Sequence, residues 1–172
     1  LTVTASTLAD NSAGDGGAVL NRGTLRVVDS AVSGNLSGRH GGGIDNRGTL
    51  EVANSTISGN SADWSGGGIF NAGSTLDVTN STIAGNRADA DNDGVGGGGE
   101  IRTAAGSATL HSTIVAGNSV GNGLDNDVVG AVEDDSSFNL IGDAATGGGP
   151  QHGDNGNQVG VDPLLDPAGL QD

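Results

Sequence analysis

Apolar residues recur in this chain as Leu-x-Val pairs, at Leu1, Leu25, Leu50 and Leu76, with Ala108-x-Leu110 as a fifth, weaker copy. Alternation with period two, carried by Leu, Val and Ile with Thr nearby, marks a short strand with one buried face. Each pair opens a longer phrase: LTVTASTLADNSA, LRVVDSAVSGNLS, LEVANSTISGNSA, LDVTNSTIAGNRA and ATLHSTIVAGNSV. A second phrase follows in the first four copies: GGAVLNRGT, GGGIDNRGT, GGGIFNAGST and GGGEIRTAAGS. The copies start 24, 25, 26 and then 32 residues apart. A period in this range points to a solenoid, and Gly and Asn punctuate the chain too often for long helices. Each repeat therefore predicts three short strands, Leu-x-Val, Ser-Thr-Ile and Gly-Gly-Ile. Coils of this length stack at about 4.8 Å, with the right-handed crossover that parallel strands favour.

The predicted fold is all-β: a right-handed parallel β-helix with three sheets and about five coils, starting near residues 1, 25, 50, 76 and 108. Residues 1–120 form the repeats and 121–172 an irregular final coil and loop-rich cap, within one domain. Folding the sequence on its period gives the core. Leu1, Leu25, Leu50, Leu76 and Ala108 make one inward column, and Val3, Val27, Val52, Val78 and Leu110 a second. Leu8, Val32, Ile57, Ile83 and Val115 make a third, and Val19, Ile44, Ile69 and Ile101 a fourth. Two polar columns mark corners: Asn11, Asn35, Asn60, Asn86 and Asn118, then Asn21, Asn46 and Asn71, with Thr103 in the fourth place. Stacked amides can hydrogen-bond from coil to coil, so both columns are read as structural ladders. Asn35, Asn54 and Asn80 also match the glycosylation sequon, a pattern that a Ser/Thr/Asn repeat produces readily.

Composition narrows the partners. With 21 acidic residues against six arginines the formal charge is −15, which disfavours nucleic acid and anionic membrane surfaces. Thirty-four glycines and 2% aromatic residues leave a core of thin aliphatic layers. No secretory leader, membrane span or initiator Met is visible, and Leu1 opens a repeat, so the chain reads as a mature or excised segment. The absence of Cys is compatible with a secreted bacterial protein.

The phrases Leu-x-Val-x-Asn-Ser-Thr-Ile-Ser-Gly-Asn and Gly-Gly-Gly-Ile-x-Asn resemble the repeats of polymorphic outer-membrane-type and related bacterial surface proteins. Phe138-Asn139-Leu140-Ile141-Gly142-Asp143 and Val161-Asp162-Pro163-Leu164-Leu165 look like the segment that closes such helices in choice-of-anchor surface proteins. The resemblance spans nearly the whole chain. It implies the β-helix and an extracellular or cell-surface setting, and it implies no particular activity.

Four local features carry candidate chemistry. Asp89, Asp91, Asp93, Gly94 and Glu100 fit the calcium-loop pattern D-x-[DN]-x-[DN]-G-x5-E and lie in the insertion that lengthens the fourth repeat. Calcium binding and a solvated acidic loop without flanking helices both remain open. On the outer face of the first sheet the column Thr2, Arg26, Glu51, Asp77 and Thr109 would set two carboxylates about 5 Å apart, a glycosidase-like spacing. Against this stand an Arg26–Glu51 ion pair and the lack of an aromatic platform in the pattern. Trp64 and Phe70 share one repeat, where Trp64 is read chiefly as covering a neighbouring coil and alternatively as a sugar platform. His40, His111 and His152 are too scattered for zinc spacing. At the solenoid ends, Leu1, Val3 and Leu8 form the lowest layer, while Val159, Val161, Leu164, Leu165 and Leu170 could dock on it in a second copy. The expectation is a non-catalytic structural or adhesive module, with end-to-end assembly into a filament as a variant of that reading. Expected partners are calcium and a glycan or other cell-surface ligand, without nucleic acid or membrane insertion. A polysaccharide lyase or hydrolase is the alternative.

Overall fold

The structure is a computed structural model that describes residues 1–73, 75–96, 98–99, 101–143 and 150–165. Its strands stack in parallel rows, and four rows form rather than three. Sheet A joins Thr2–Thr4, Thr24–Val28, Thr49–Ala53, Thr75–Thr79 and Ser107–His111. Sheet B joins Thr7–Ala9, Ala31–Ser33, Thr56–Ser58, Thr82–Ala84 and Ile114–Ala116, then continues through Leu140–Ile141 and Gln158–Val159. Sheet C contains strands of only two residues, from Ser12–Ala13 to Ser119–Val120, and ends in the antiparallel Leu124–Asp125. Sheet D joins Val19–Asn21, Ile44–Asn46, Ile69–Asn71, Ile101–Thr103 and Val128–Val129. The expected count of three sheets is thus corrected to four: two residues are too few to display an alternation in sequence. The fold is a parallel β-helix of about five coils.

Register follows the period. Leu50 pairs with Leu25 and Leu76, and Ile57 pairs with Val32 and Ile83. Inward residues from Leu25 through Leu110 are fully buried and form one continuous core, with Val128, Val132 and Ile141 extending it. Each layer is thin, but the layer above covers it, which is how a chain with so few aromatics excludes water.

Corners are fixed by backbone geometry and by polar side chains. Between sheets A and B, Ala5, Asp29, Asn54, Asn80, Ser112 and Phe138 all occupy the left-handed region, at φ 46 to 56°. The hydroxyl column that follows was not resolved as a column in the sequence: Ser30, Ser55, Ser81 and Thr113 are buried. The Ser6, Ser30 and Ser55 N–H groups each donate to the next serine's Oγ at 3.1 Å. Thr113 N–H donates to Asn139 Oδ1, and Asn139 Nδ2 to Asn157 Oδ1, both at 3.0 Å, which carries this column into the closing segment.

Between sheets B and C the first asparagine ladder is directional. Asn11 Nδ2 donates to Asn35 Oδ1 at 2.9 Å, Asn35 to Asn60 at 2.8 Å, Asn60 to Asn86 at 2.9 Å and Asn86 to Asn118 at 3.1 Å. Asn118 Nδ2 then donates to Asp127 Oδ1 at 2.8 Å. An amide always has a donor left over, so a one-way ladder needs an acceptor-only group at its end. Asp127 is that group, and its Oδ2 accepts the Asp143 N–H at 2.6 Å. The second ladder runs from Asn21 to Asn46 to Asn71, at 2.7 Å per step, and ends on the Ser107 carbonyl at 3.2 Å.

Candidate functional site

Non-repeating chemistry collects on the loops between sheets C and D, on the outer face of sheet A, and at the closing end. The insertion between Arg87–Ala88 and Ile101–Thr103 gathers Asp89, Asp91 and Asp93, whose nearest carboxylate oxygens all lie within 4.8 Å of one another. Asn92 and Gly94 turn the chain at φ 58 and 76°, and Asp93 Oδ1 accepts the Val95 N–H at 2.7 Å. Glu100, the last position of the calcium pattern, lies outside the described residues. One carboxylate outside the pattern lies within electrostatic reach of this group. Burial together with Asp91 and Asp93 pushes Asp63, from the preceding coil, above the ordinary carboxylate value. Oxygen-rich and mostly exposed, the group has the ligand type that calcium takes.

On sheet A, Arg26, Glu51, Asp77 and Thr109 stand in register on the outer face. Arg26 pairs with Glu51 at 2.7 Å, and both side chains are largely exposed. Burial and the neighbouring Glu51 raise Asp77 above its ordinary value, while His111 lowers it and Asp135 adds to the rise. His111 Nδ1 lies 2.9 Å from Ser137 Oγ. The column therefore gathers a histidine and a third acid that its spacing alone did not reveal.

A third cluster sits outside sheet D and was scattered in the sequence. Asp45 points outward between Ile44 and Asn46, yet it is fully buried. Arg47 covers it at 2.7 Å and also reaches Asp15 at 3.3 Å, and Arg39 pairs with Asp15 as well. His40 stacks on Phe70, with ring centroids 4.2 Å apart and planes 18° apart, and meets Trp64 edge-on at 5.3 Å. Trp64 keeps 37% of its surface exposed. Asp15 Oδ1 and His40 Nδ1 are buried without a hydrogen-bond partner. The contributing positions become neighbours because they lie about one coil apart: Asp15 stacks near Arg39 and His40, and Asp45 pairs with Phe70. Writing the sequence on its period would have brought them together.

At the closing end a polar cleft of about 350 Å³ is lined by Asp134, Pro150, Gln151, Asp154, Asn155 and Asn157. Beside it Phe138 is 71% exposed and takes the left-handed corner position that earlier coils fill with small or polar residues. A bulky residue at positive φ is uncommon and marks local strain. The expected assembly residues divide. Val3, Leu8 and Val159 pack against this chain's own core, Leu1 is 78% and Leu164 84% exposed, and Val161 and Leu165 are partly buried. Leu170 lies outside the described residues. Of the sequon asparagines, Asn35 is buried in its ladder, whereas Asn54 and Asn80 are exposed. His152 contacts the Val159 backbone, away from the other two histidines. No helix among the described residues is long and apolar enough to cross a membrane. Set against family models, curated proteins and solved structures, the chain matches none.

Proposed function

We propose that the chain is a non-catalytic structural or adhesive module of an extracellular, cell-surface bacterial protein, with calcium held in its insertion loop. The observation that carries this reading is the division of polar chemistry. The recurring Asn, Ser and Thr side chains are spent on coil-to-coil ladders that stiffen the rod, while irregular loops and the closing cleft hold what does not repeat. That is the layout of a scaffold that displays loops. The resemblance to polymorphic outer-membrane-type repeats supports the setting. A polar cleft beside an exposed phenyl ring suits a glycan, whose apolar face covers the ring while its hydroxyls meet carboxylates and amides. Binding of the purified chain to an immobilised glycan panel tests the adhesive reading, with Phe138→Ala expected to weaken retention at least tenfold. Uniform failure to bind glycans or whole cells would leave only a structural role.

Polysaccharide cleavage is a second reading, favoured by the raised Asp77 beside Glu51. Release of reducing ends or unsaturated products from acidic and neutral polysaccharides, lost in Asp77→Asn and Glu51→Gln, would establish it.

A further inference from the structure

We propose that His40 is an acid-released latch: neutral, it clips the loop cover onto the outer face of sheet D, and on taking a second proton it lets that cover open. The ring lies between Phe70 and Trp64, and the loops that carry these groups are tied by the Trp64 N–H donating to Arg39 O at 2.9 Å. A neutral imidazole with its proton on Nε2 leaves only a lone pair at the buried, unpartnered Nδ1. A second proton turns that atom into a buried N–H donor with no acceptor and adds a charge to a partly buried ring.

The charged groups facing the ring are Asp15 from the preceding coil, and Arg39, Asp45 and Arg47 from its own coil. Asp15 and Asp45 favour the cation, Arg39 and Arg47 oppose it, and these four already pair with one another. The following coil offers Trp64 and Phe70, which are uncharged. Asp63, next to Trp64 in sequence, is coupled instead to Asp91 and Asp93. Burial outweighs these charges and holds His40 below the ordinary histidine value. The proton can be accommodated once the ring leaves the stack for water. Beneath the cover Ile44 and Ile69 remain in the continuous core, so release uncovers Phe70, Trp64 and the Asp45–Arg47 pair without unwinding the coils.

Trp64 is the only tryptophan in the chain, and there is no tyrosine, so intrinsic fluorescence reports on this cluster alone. Titrating the full chain from about pH 8 to about pH 4 is expected to give a one-proton step in Trp64 emission, shifted to longer wavelength, with its midpoint below about 6.5. His40→Phe, which keeps a ring in the stack, is expected to abolish the step, whereas His111→Gln is expected to retain it. Amide exchange gives a second reading: below the midpoint the protection factor of the Trp64 N–H, referred to the intrinsic exchange rate at each pH, should fall at least tenfold, while the Ile44 and Ile69 amides stay protected. No step in the wild type, a midpoint above about 6.5, or a step that survives His40→Phe through Asp63 would each overturn the latch. If His40→Phe does not fold, an unchanged Trp64 N–H protection factor in the wild type below about pH 5 overturns it alone.

Discussion

Asn60 makes four ladder hydrogen bonds with a single side chain. Its Oδ1 accepts from both the backbone and the side-chain amide of Asn35, and its Nδ2 donates to Asn86 Oδ1 and to the Val32 carbonyl. All of these groups are shielded from water by the coils above and below, so truncation strands several at once. Asn60→Ala is therefore expected to lower unfolding free energy by about 3 kcal/mol, at about 1–3 kcal/mol per unpaired buried group. Asn11→Ala, at the exposed start of the same ladder, should cost about 1 kcal/mol or less, and urea denaturation of the two variants makes the comparison. Equal losses would mean that the ladder is not a buried network. The asparagine columns were legible because each residue recurs about one coil apart, the first column after Gly (after Asp10 in the first copy) and the second two residues before Gly. The serine column was not, because Ser55 and Ser81 read as the first residue of a Ser-Thr-Ile strand. In the structure each strand begins one residue later, and the serine turns inward at the bend.

Among the elements, the segment that ends a ladder and the segment that interrupts a repeat behave differently. Asp127 terminates the first ladder, and no pattern in the sequence marked it, since it follows Asn118 by nine residues rather than by a coil. Burial raises its carboxyl above the ordinary value, and the Asn118 and Asp143 N–H donors pull it back only in part. A folded-state value above the unfolded one means that the native state binds more protons in between. The contribution of Asp127 to stability is thus fully present below about pH 4 and is lost as pH rises through the raised value. Asp127→Asn removes this component, so the difference in melting temperature between variant and wild type should change with pH across that window. A constant difference would contradict the assignment. The insertion loop was legible as a calcium pattern, but the approach of Asp63 from the coil before it depends on stacking. If Asp89, Asp91 and Asp93 hold calcium, millimolar calcium should raise the melting temperature by preferential binding to the folded state. Asp91→Ala should remove most of that gain, whereas no rise with the wild type would leave a solvated acidic loop.

Across the whole molecule, the same stacking that builds the core also sets how two copies could meet. The columns and the parallel fold were readable from the period, whereas the surfaces were not, because outward positions are free to differ from coil to coil. On sheet D the outward column runs Leu20, Asp45, Phe70, Arg102 and Val129, five different residues over a nearly invariant inner column. End-to-end association, proposed for the layer of Leu1, Val3 and Leu8 and for the closing segment through Leu164 and Leu165, must overcome a formal charge of −15 on each copy. Leu164 is the most exposed large apolar side chain among the described residues and lies five residues beyond Val159, which is already engaged in this chain's own sheet B. At about 0.01 M salt the screening length is roughly 30 Å, so repulsion reaches across such a contact, whereas at about 0.1 M it falls to about 10 Å. Sedimentation velocity should therefore show monomers at low salt and longer rods as salt rises, with Leu164→Asp shifting the balance back towards monomer. Monomers at every salt concentration would exclude the association, and rods that ignore both salt and Leu164→Asp would place the contact elsewhere on the solenoid.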